Sequence, residues 1–216
     1  MLDAEGFIKY KNMAYEASNK PLLDDFATPE KIESILSFLE KNGGRAGTNW
    51  WNEIKNTNAL SQNYNLSLSG GMDKLRYRSS FAYMKQDGII KSTDYERLSG
   101  RLNLDSEVYK WLNVSLNTNV IYETRRTTDE NNAYTSTVFS ALTSDPITPA
   151  YRNNLVDIPD FLNDRIMGGY EPTNPFSQYT GILYSNKPNP LAQTERKGQN
   201  RWKGLTLKNN LSADIK

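Results

Sequence analysis

The chain has 216 residues, 37% of them hydrophobic and 11% aromatic, and carries a formal net charge of +1 at pH 7. That balance argues against a nucleic-acid partner, which requires a basic face, and against an acidic solvating tail. With no Cys and no His, the chain lacks disulfides, thiol catalysis, thiolate metal sites, and the commonest general base and transition-metal ligand. An enzyme is therefore not expected: no catalytic residue, no cofactor and no metal site stands out. No apolar run approaches ~20 residues, which excludes a transmembrane helix. No basic-then-apolar leader opens the chain, so no signal peptide is expected.

Residues 1 to 60 read as helical and irregular. In GFIKYKNMAYEAS, Phe7, Ile8, Tyr10, Lys11 and Tyr15 fall at roughly helical spacing. TPEKIESILSFLEKNGG is a stronger helix signal, with Thr28 as N-cap and Pro29 at the first helical position. Ile32, Ile35, Leu36 and Leu39 make its apolar stripe, and Gly43 and Gly44 supply its stop. The adjacent tryptophans Trp50 and Trp51 follow.

From residue 62 the hydrophobic period switches to two, predicting strands at about 62–69, 74–84, 95–105, 111–122 and 202–215. Each offers one apolar parity. The first has Tyr64, Leu66 and Leu68; the second has Leu75, Tyr77, Ser79, Phe81 and Tyr83. The third has Leu98, Gly100, Leu102 and Leu104; the fourth has Leu112, Val114, Leu116, Thr118, Val120 and Tyr122. The fifth has Leu205, Leu207, Asn209, Leu211, Ala213 and Ile215. Among the residues named for these faces there is no charge. The opposite parities hold Lys74, Arg76, Arg78, Arg97, Arg101, Asp105, Lys208 and Asp214.

Short connections, such as the tight turn in SGGMDK, alternate with longer ones, so in a meander all long segments fall on one side. An outer-membrane barrel has that asymmetry, and a soluble sandwich has no reason to enforce it. Strands of eleven or twelve residues at ~3.3 Å each, tilted ~45°, cross the ~25 Å apolar band of such a barrel. The fold class expected is mainly β. It is a partial antiparallel up-and-down transmembrane β-barrel of about five strands, with helical and irregular long outer loops. The segments expected are 1–60, an extracellular helical loop segment; 61–122, four barrel strands; 123–200, a long extracellular loop; and 201–216, a further strand cut short.

Residues 48 to 122 also carry a specific likeness. Asn63-Tyr64-Asn65, Ser69-Gly70-Gly71, Lys74, Tyr77, Tyr83, Gln86, Gly88-Ile89-Ile90, Arg97, Arg101, Asn103 and Trp111-Leu112 stand as framework residues, and NPLAQ follows at 189–193. This pattern resembles the SusC-like (RagA-like) family of TonB-dependent outer-membrane transporters of Bacteroidota. The resemblance implies a 22-stranded barrel with an N-terminal plug, in the Gram-negative outer membrane. Such a barrel imports oligosaccharide or peptide with energy delivered through TonB. A SusD-like surface lipoprotein would cap it, TonB would engage an N-terminal region not found here, and outer-membrane lipid would surround it. Five strands cannot satisfy both sheet edges in lipid, so this chain alone is expected to have no transport activity.

Leu66, Leu75, Phe81, Leu102, Leu116 and Leu207 are the expected lipid-facing residues, and Arg76, Arg78, Arg97 and Arg101 the expected lumen-facing ones. Trp50, Trp51, Tyr134 and Tyr170 are candidates for stacking on a substrate, although packing at the outer rim accounts for the tryptophans as well. Phe139, Tyr151, Phe176, Tyr179 and Tyr184 enrich the long loop further, as a binding surface for a lid protein or glycan, or by packing on themselves. Trp111, Trp202, Tyr83 and Tyr122 are expected as interfacial girdle aromatics. Asp157, Asp160 and Asp164 lack the Gly and Glu of a calcium loop. The alternative reading is a soluble carbohydrate-binding β-domain. It requires a second apolar layer over the sheet, for which only the 28–42 helix is at hand.

Overall fold

The period-two stretches pair with one another in sequence order. In the computed structural model, which describes residues 1–128, 136–167, 178–185 and 187–215, five antiparallel strands form one sheet with each strand beside its sequence neighbour. They are β1 (Ser61–Met72), β2 (Leu75–Asp87), β3 (Asp94–Tyr109), β4 (Leu112–Arg126) and β5 (Trp202–Ile215). Their lengths run from 12 to 16 residues, two to three times the ~5–6 residues usual in soluble domains.

The strands extend past the ends that alternation predicted. β2 continues to Asp87 and β4 to Arg126, and β3 runs through the segment expected as a turn to Tyr109, with a bulge between Glu107 and Tyr109. Backbone pairing is indifferent to side-chain polarity, so ladders continue wherever a neighbouring strand remains to accept hydrogen bonds.

The chain divides into two units: Met1–Lys55 with Thr128–Arg196, and Asn56–Thr127 with Lys197–Lys216. The second holds the sheet. The first is helical, with α1 (Ala4–Ala17), α2 (Pro29–Lys41), α3 (Trp50–Ile54), α4 (Thr137–Thr143), α5 (Asp160–Met167) and α6 (Pro190–Gly198), the last turn of α6 passing into the sheet unit. Helix α1 begins where the Asp3 carboxylate accepts from Gly6 N at 2.8 Å. Helix α2 begins where the Thr28 hydroxyl accepts from Lys31 N at 3.4 Å, with Pro29 in its first turn. It ends at Gly43 and Gly44, whose φ of 130° and 122° suits residues without a Cβ.

The core of this unit gathers Ala4, Ile8, Phe26, Ile35, Leu36, Phe38, Leu39, Ile147, Leu162 and Ile166. The stripe of α2 is thereby spent on α1, α5 and the chain around Ile147, and is not available as the second layer that a soluble β-domain would need. In α1 the helical spacing is confirmed, but Tyr10 is exposed while Ile8 is buried. Among the described residues, no helix is long and apolar enough to cross a membrane.

Candidate functional site

Residues directly opposite each other in an antiparallel pair point to the same side, so the register tests whether five separately chosen parities share one face. They do. One row runs Leu66, Phe81, Gly100, Val120, Leu207, and the next runs Leu68, Ser79, Leu102, Thr118, Asn209. On one side of these lies the row Tyr64, Tyr83, Leu98, Tyr122, Leu205; on the other lie Gly70, Tyr77, Leu104, Leu116, Leu211 and then Met72, Leu75, Ser106, Val114, Ala213. No charged side chain enters these five rows.

Nothing covers this face within the sheet unit. Leu66, Phe81 and Leu207 are 60%, 59% and 60% exposed and Leu102 36%, with Leu75 and Leu116 half-buried between neighbouring strands. Side chains pack along the face instead. The Tyr64 and Tyr83 rings stack at 6.4 Å. A Cβ on Gly70 would sit 2.6 Å from Tyr77 Oη, so glycine there lets the Tyr77 ring lie across β1. Phe81 lies over Gly100, where an added Cβ would meet its ring at an ordinary contact of 3.6 Å.

The face has sharp borders. Beyond the Tyr64–Tyr83–Tyr122 row comes Gln62, Lys85, Glu96, Thr124, Lys203, so charge enters the face one row past the tyrosines, at Glu96 and Lys203 inside the predicted strands and at Lys85 just beyond one. Tyr83 straddles this border, its ring on the apolar side and its hydroxyl donating to Glu96 at 2.9 Å. Further out, Asp94 accepts from Arg126 Nε at 3.0 Å and from Arg201 at 3.1 Å. At the opposite end, Tyr109 and Trp111 stack at 5.5 Å with their planes 5° apart. Trp202 departs from its expected place on the apolar side. It pairs with Arg125 in the register of the polar face, and the Arg125 guanidinium lies 4.6 Å over its ring.

The polar face holds Arg76, Arg78, Arg97 and Arg101 together, as their parity predicts. Arg76 is opposite Asp105, Arg78 opposite Asn103, Arg101 between Ser80 and Asn119, and Arg97 between Met84 and Glu123. Carboxylates on this face lie toward the two ends: Asp105, Glu107 and Asp214 toward the tight turns, and Glu123 toward the other end.

In the helical unit the candidate stacking residues part company. Trp50 is fully buried, and its Nε1 donates to the Asp145 carbonyl oxygen at 2.7 Å. It cannot present a ring to a ligand, so its candidacy is overturned: enclosure by its own unit satisfies both its apolar surface and its single donor. Trp51 is half-buried. Tyr134 and Tyr170, with Phe176, lie outside the described residues. Of the remaining loop aromatics, Phe139 and Tyr151 are exposed, whereas Tyr179 is buried and donates its hydroxyl to Glu195. Tyr184 packs 4.9 Å from Phe26 and donates to Asp25 at 2.7 Å, with Arg165 stacked over its ring. Burial, then that hydrogen bond, raises its phenol well above the ordinary value, so it stays a donor.

Two polar residues whose roles sequence reading did not give organise this loop. Asn189 of NPLAQ caps α6, accepting from Leu191 N at 2.9 Å, while its amide donates to the carbonyls of Ala150 and Thr180. Asp145 accepts from Thr148 N and Oγ1, both at 2.8 Å, and from Tyr184 N at 3.2 Å. NPLAQ marked Asn189 by family likeness without its role, and the signal for Asp145 was a lone Asp beside a proline in a loop, which is too common to single out. Burial raises the Asp145 carboxyl above its ordinary 3.8, against the pull of those hydrogen bonds. The folded state therefore binds a proton more tightly than the unfolded one. The unit is expected to lose stability as pH rises from 3.8 through the raised value. Asp145→Asn removes this contribution, so across that window the denaturant midpoint of the parent protein should fall relative to that of Asp145→Asn as pH rises; identical slopes would refute the assignment.

No protein-family model matches the chain. Among curated proteins, the TonB-dependent receptor SusC of Bacteroides thetaiotaomicron is 31% identical over 163 residues, covering 71% of this chain and 15% of that protein. A TonB-dependent receptor of Formosa agariphila is 35% identical over 94 residues, covering 44% of this chain and 9% of its own length. The chain thus spans 15% or less of the curated relatives it matches. Among solved structures, the RagAB peptide transporter aligns with all of this chain at a TM-score of 0.61 and 17% identity, over 24% of the transporter chain. The RagAB peptide importer in its open-open state gives 0.65 and 18%, again over all of this chain and 23% of that one. At such identities these two speak for the fold alone: a five-stranded meander that matches part of a transporter barrel. The framework residues of β1 to β4, the shared apolar face and the curated relatives agree, and the chain belongs to the SusC-like family of TonB-dependent receptors, of whose length it spans a part.

Proposed function

We propose that this chain forms part of the wall of a TonB-dependent outer-membrane importer, with its apolar face against lipid and its polar face lining the lumen. The observation that carries the reading is the uncovered, charge-free face shared by all five strands, bordered by tyrosines and then by charge. Over β4 that face spans Leu112 to Tyr122, which at ~3.3 Å per residue and ~45° tilt is ~23 Å, close to the ~25 Å apolar band of such barrels. In this arrangement the segments before β1 and between β4 and β5 are outer loops, and the open edges of β1 and β5 pair with further strands, since unpaired edges are not tolerated in lipid. Membership of the family supports partnership with a SusD-like surface lipoprotein, energy through TonB, and an imported oligosaccharide or peptide.

The absence of cysteine makes a direct test clean. Single cysteines at Leu66, Phe81, Leu102, Leu116 and Leu207, and at Asn103, Asn117 and Asn119, are labelled with a nitroxide in the closed barrel that contains this segment, after its reconstitution in phospholipid bilayers. Relaxation by oxygen, which partitions into lipid, is expected to exceed relaxation by a water-soluble nickel complex at the first five sites. The reverse is expected at the three asparagines. No alternation between the sets would overturn the proposal.

A further inference from the structure

The apolar face has a hollow at its centre. Ser79 and Thr118 stand in one row on either side of Leu102, and Gly100 stands in the next row between Phe81 and Val120. Around these three small residues Phe81, Leu98, Leu102, Val120 and Tyr122 are exposed, and together they line a depression of about 390 Å³. It lies on the inner strands β2, β3 and β4, away from the open edges of the sheet, and on the side turned from the lumen.

The depression opens at one end onto charge. Past Leu98 and Tyr122 the same face carries Glu96, Thr124 and Lys203, then Asp94 and Arg126. Glu96 accepts from Tyr83, and Asp94 is shared by Arg126 and Arg201. Lys203 is exposed and makes no hydrogen bond or ion pair among the described residues. On β2, Lys85 and Asp87 offset each other, so the excess of positive charge falls on the side of β4 and β5. The stretch of β4 from Thr118 to Thr124 advances ~20 Å at ~3.3 Å per residue, or ~14 Å along the membrane normal at ~45° tilt. That depth is close to one leaflet, half of the ~30 Å hydrocarbon core.

We infer that this depression seats an acyl chain of an outer-leaflet lipid whose anionic headgroup lies against Lys203, Arg201 and Arg126. An acyl chain needs only apolar walls and a low floor, which Ser79, Gly100 and Thr118 supply. A phosphate at its head would draw charge-assisted hydrogen bonds from the ammonium and guanidinium groups. A second copy of this chain fits less well, because a two-fold contact through the depression would bring the same cations together. The inference rests on the placement of the apolar face against lipid, and it adds the class of lipid and its seat.

The test uses a cysteine-free form of the closed barrel that contains this segment, reconstituted in phosphatidylcholine. A bimane fluorophore is attached to a single cysteine at Leu205, beside Tyr122 in the row at the mouth of the depression, or at Leu211, a matched site away from it; the two are 72% and 70% exposed. Phosphatidylglycerol and phosphatidylcholine with dibrominated acyl chains are then compared as quenchers. At Leu205 phosphatidylglycerol is expected to be preferred ~5-fold, the scale of about one cation at an anionic membrane surface, and at Leu211 not at all. Filling the depression with Gly100→Leu, or removing charge with Lys203→Gln and Arg201→Gln together, should abolish the preference. Lys110→Gln, at the opposite end of the sheet, should keep it. Unchanged quenching at Leu211 shows that each variant is still inserted. Equal quenching by the two lipids at Leu205, a preference of equal size at Leu211, or one that survives in inserted Gly100→Leu would each overturn the inference. So would a change of oligomeric state in Gly100→Leu, measured by sedimentation, since that would assign the depression to a protein. No quenching by either lipid at either site would instead sink the placement of the face against lipid, so the two failures are separable.

Discussion

Replacing Leu102 or Leu116 with arginine is expected to cost about 2–4 kcal/mol of unfolding free energy in the lipid-reconstituted protein, the range for a cation near the bilayer midplane. Leu102 stands in the central row between Ser79 and Thr118, and Leu116 between Leu104 and Leu211. Neither has a carboxylate in its row, so an introduced guanidinium could neither pair nor reach water without distorting the wall. Asn117→Arg, one residue along β4 and on the opposite face, should change stability by no more than about 0.5 kcal/mol, as for an exposed polar site. Urea unfolding from phospholipid vesicles compares the three variants. The contrast isolates the solvent around the sheet, because all three positions share the same backbone geometry. Equal costs at all three positions would mean that the apolar face does not meet hydrocarbon.

Trp50→Ala should cost the helical unit about 3–5 kcal/mol, as for other large-to-small changes at fully enclosed aromatics. Its ring is wholly buried and its one donor is satisfied by Asp145. Trp50→Phe separates the two contributions. It keeps most of the volume but leaves the Asp145 carbonyl without its donor, an expected loss of about 1–3 kcal/mol. Near-ultraviolet circular dichroism during denaturant titration reports the packing of this unit. Trp51→Ala, at a half-buried site, serves as the control and should fall well below Trp50→Ala. A Trp50→Ala protein that unfolds like the parent but loses ligand binding would restore the stacking role that the structure removes.

The two tryptophans show where sequence reading stops. They are neighbours of identical type on the five-residue helix α3, and nothing local separates them. What buries Trp50 is a carbonyl 95 positions further along the chain. The same limit applies to Asn189, which donates to the carbonyls of Ala150 and Thr180, and to Tyr184, which meets Asp25, Phe26 and Arg165 only after folding. Trp202 was misjudged for a related reason: an aromatic at a strand start suggests a girdle, but its parity places it with Arg125 instead.

The strand faces lie at the other extreme. Side-chain direction along a strand has a period of two, so each parity of Leu75–Tyr83 or Leu112–Tyr122 could be read from composition without knowing any partner. The ends of β2, β3 and β4 could not, because backbone hydrogen bonds carried them to Asp87, Tyr109 and Arg126, past the ends that alternation predicted.

From sequence alone came the fold class, the apolar parity of every strand, the cap and stop of α2, and the grouping of the four arginines on one side. All of these follow from backbone periodicity or from residues within one turn of each other. Only the tertiary structure decided which residues lie opposite which, that Gly70 and Gly100 sit beneath Tyr77 and Phe81, that the stripe of α2 is spent within its own unit, and that Trp50 is enclosed. Those outcomes depend on contacts between distant segments, whose distances no local pattern encodes.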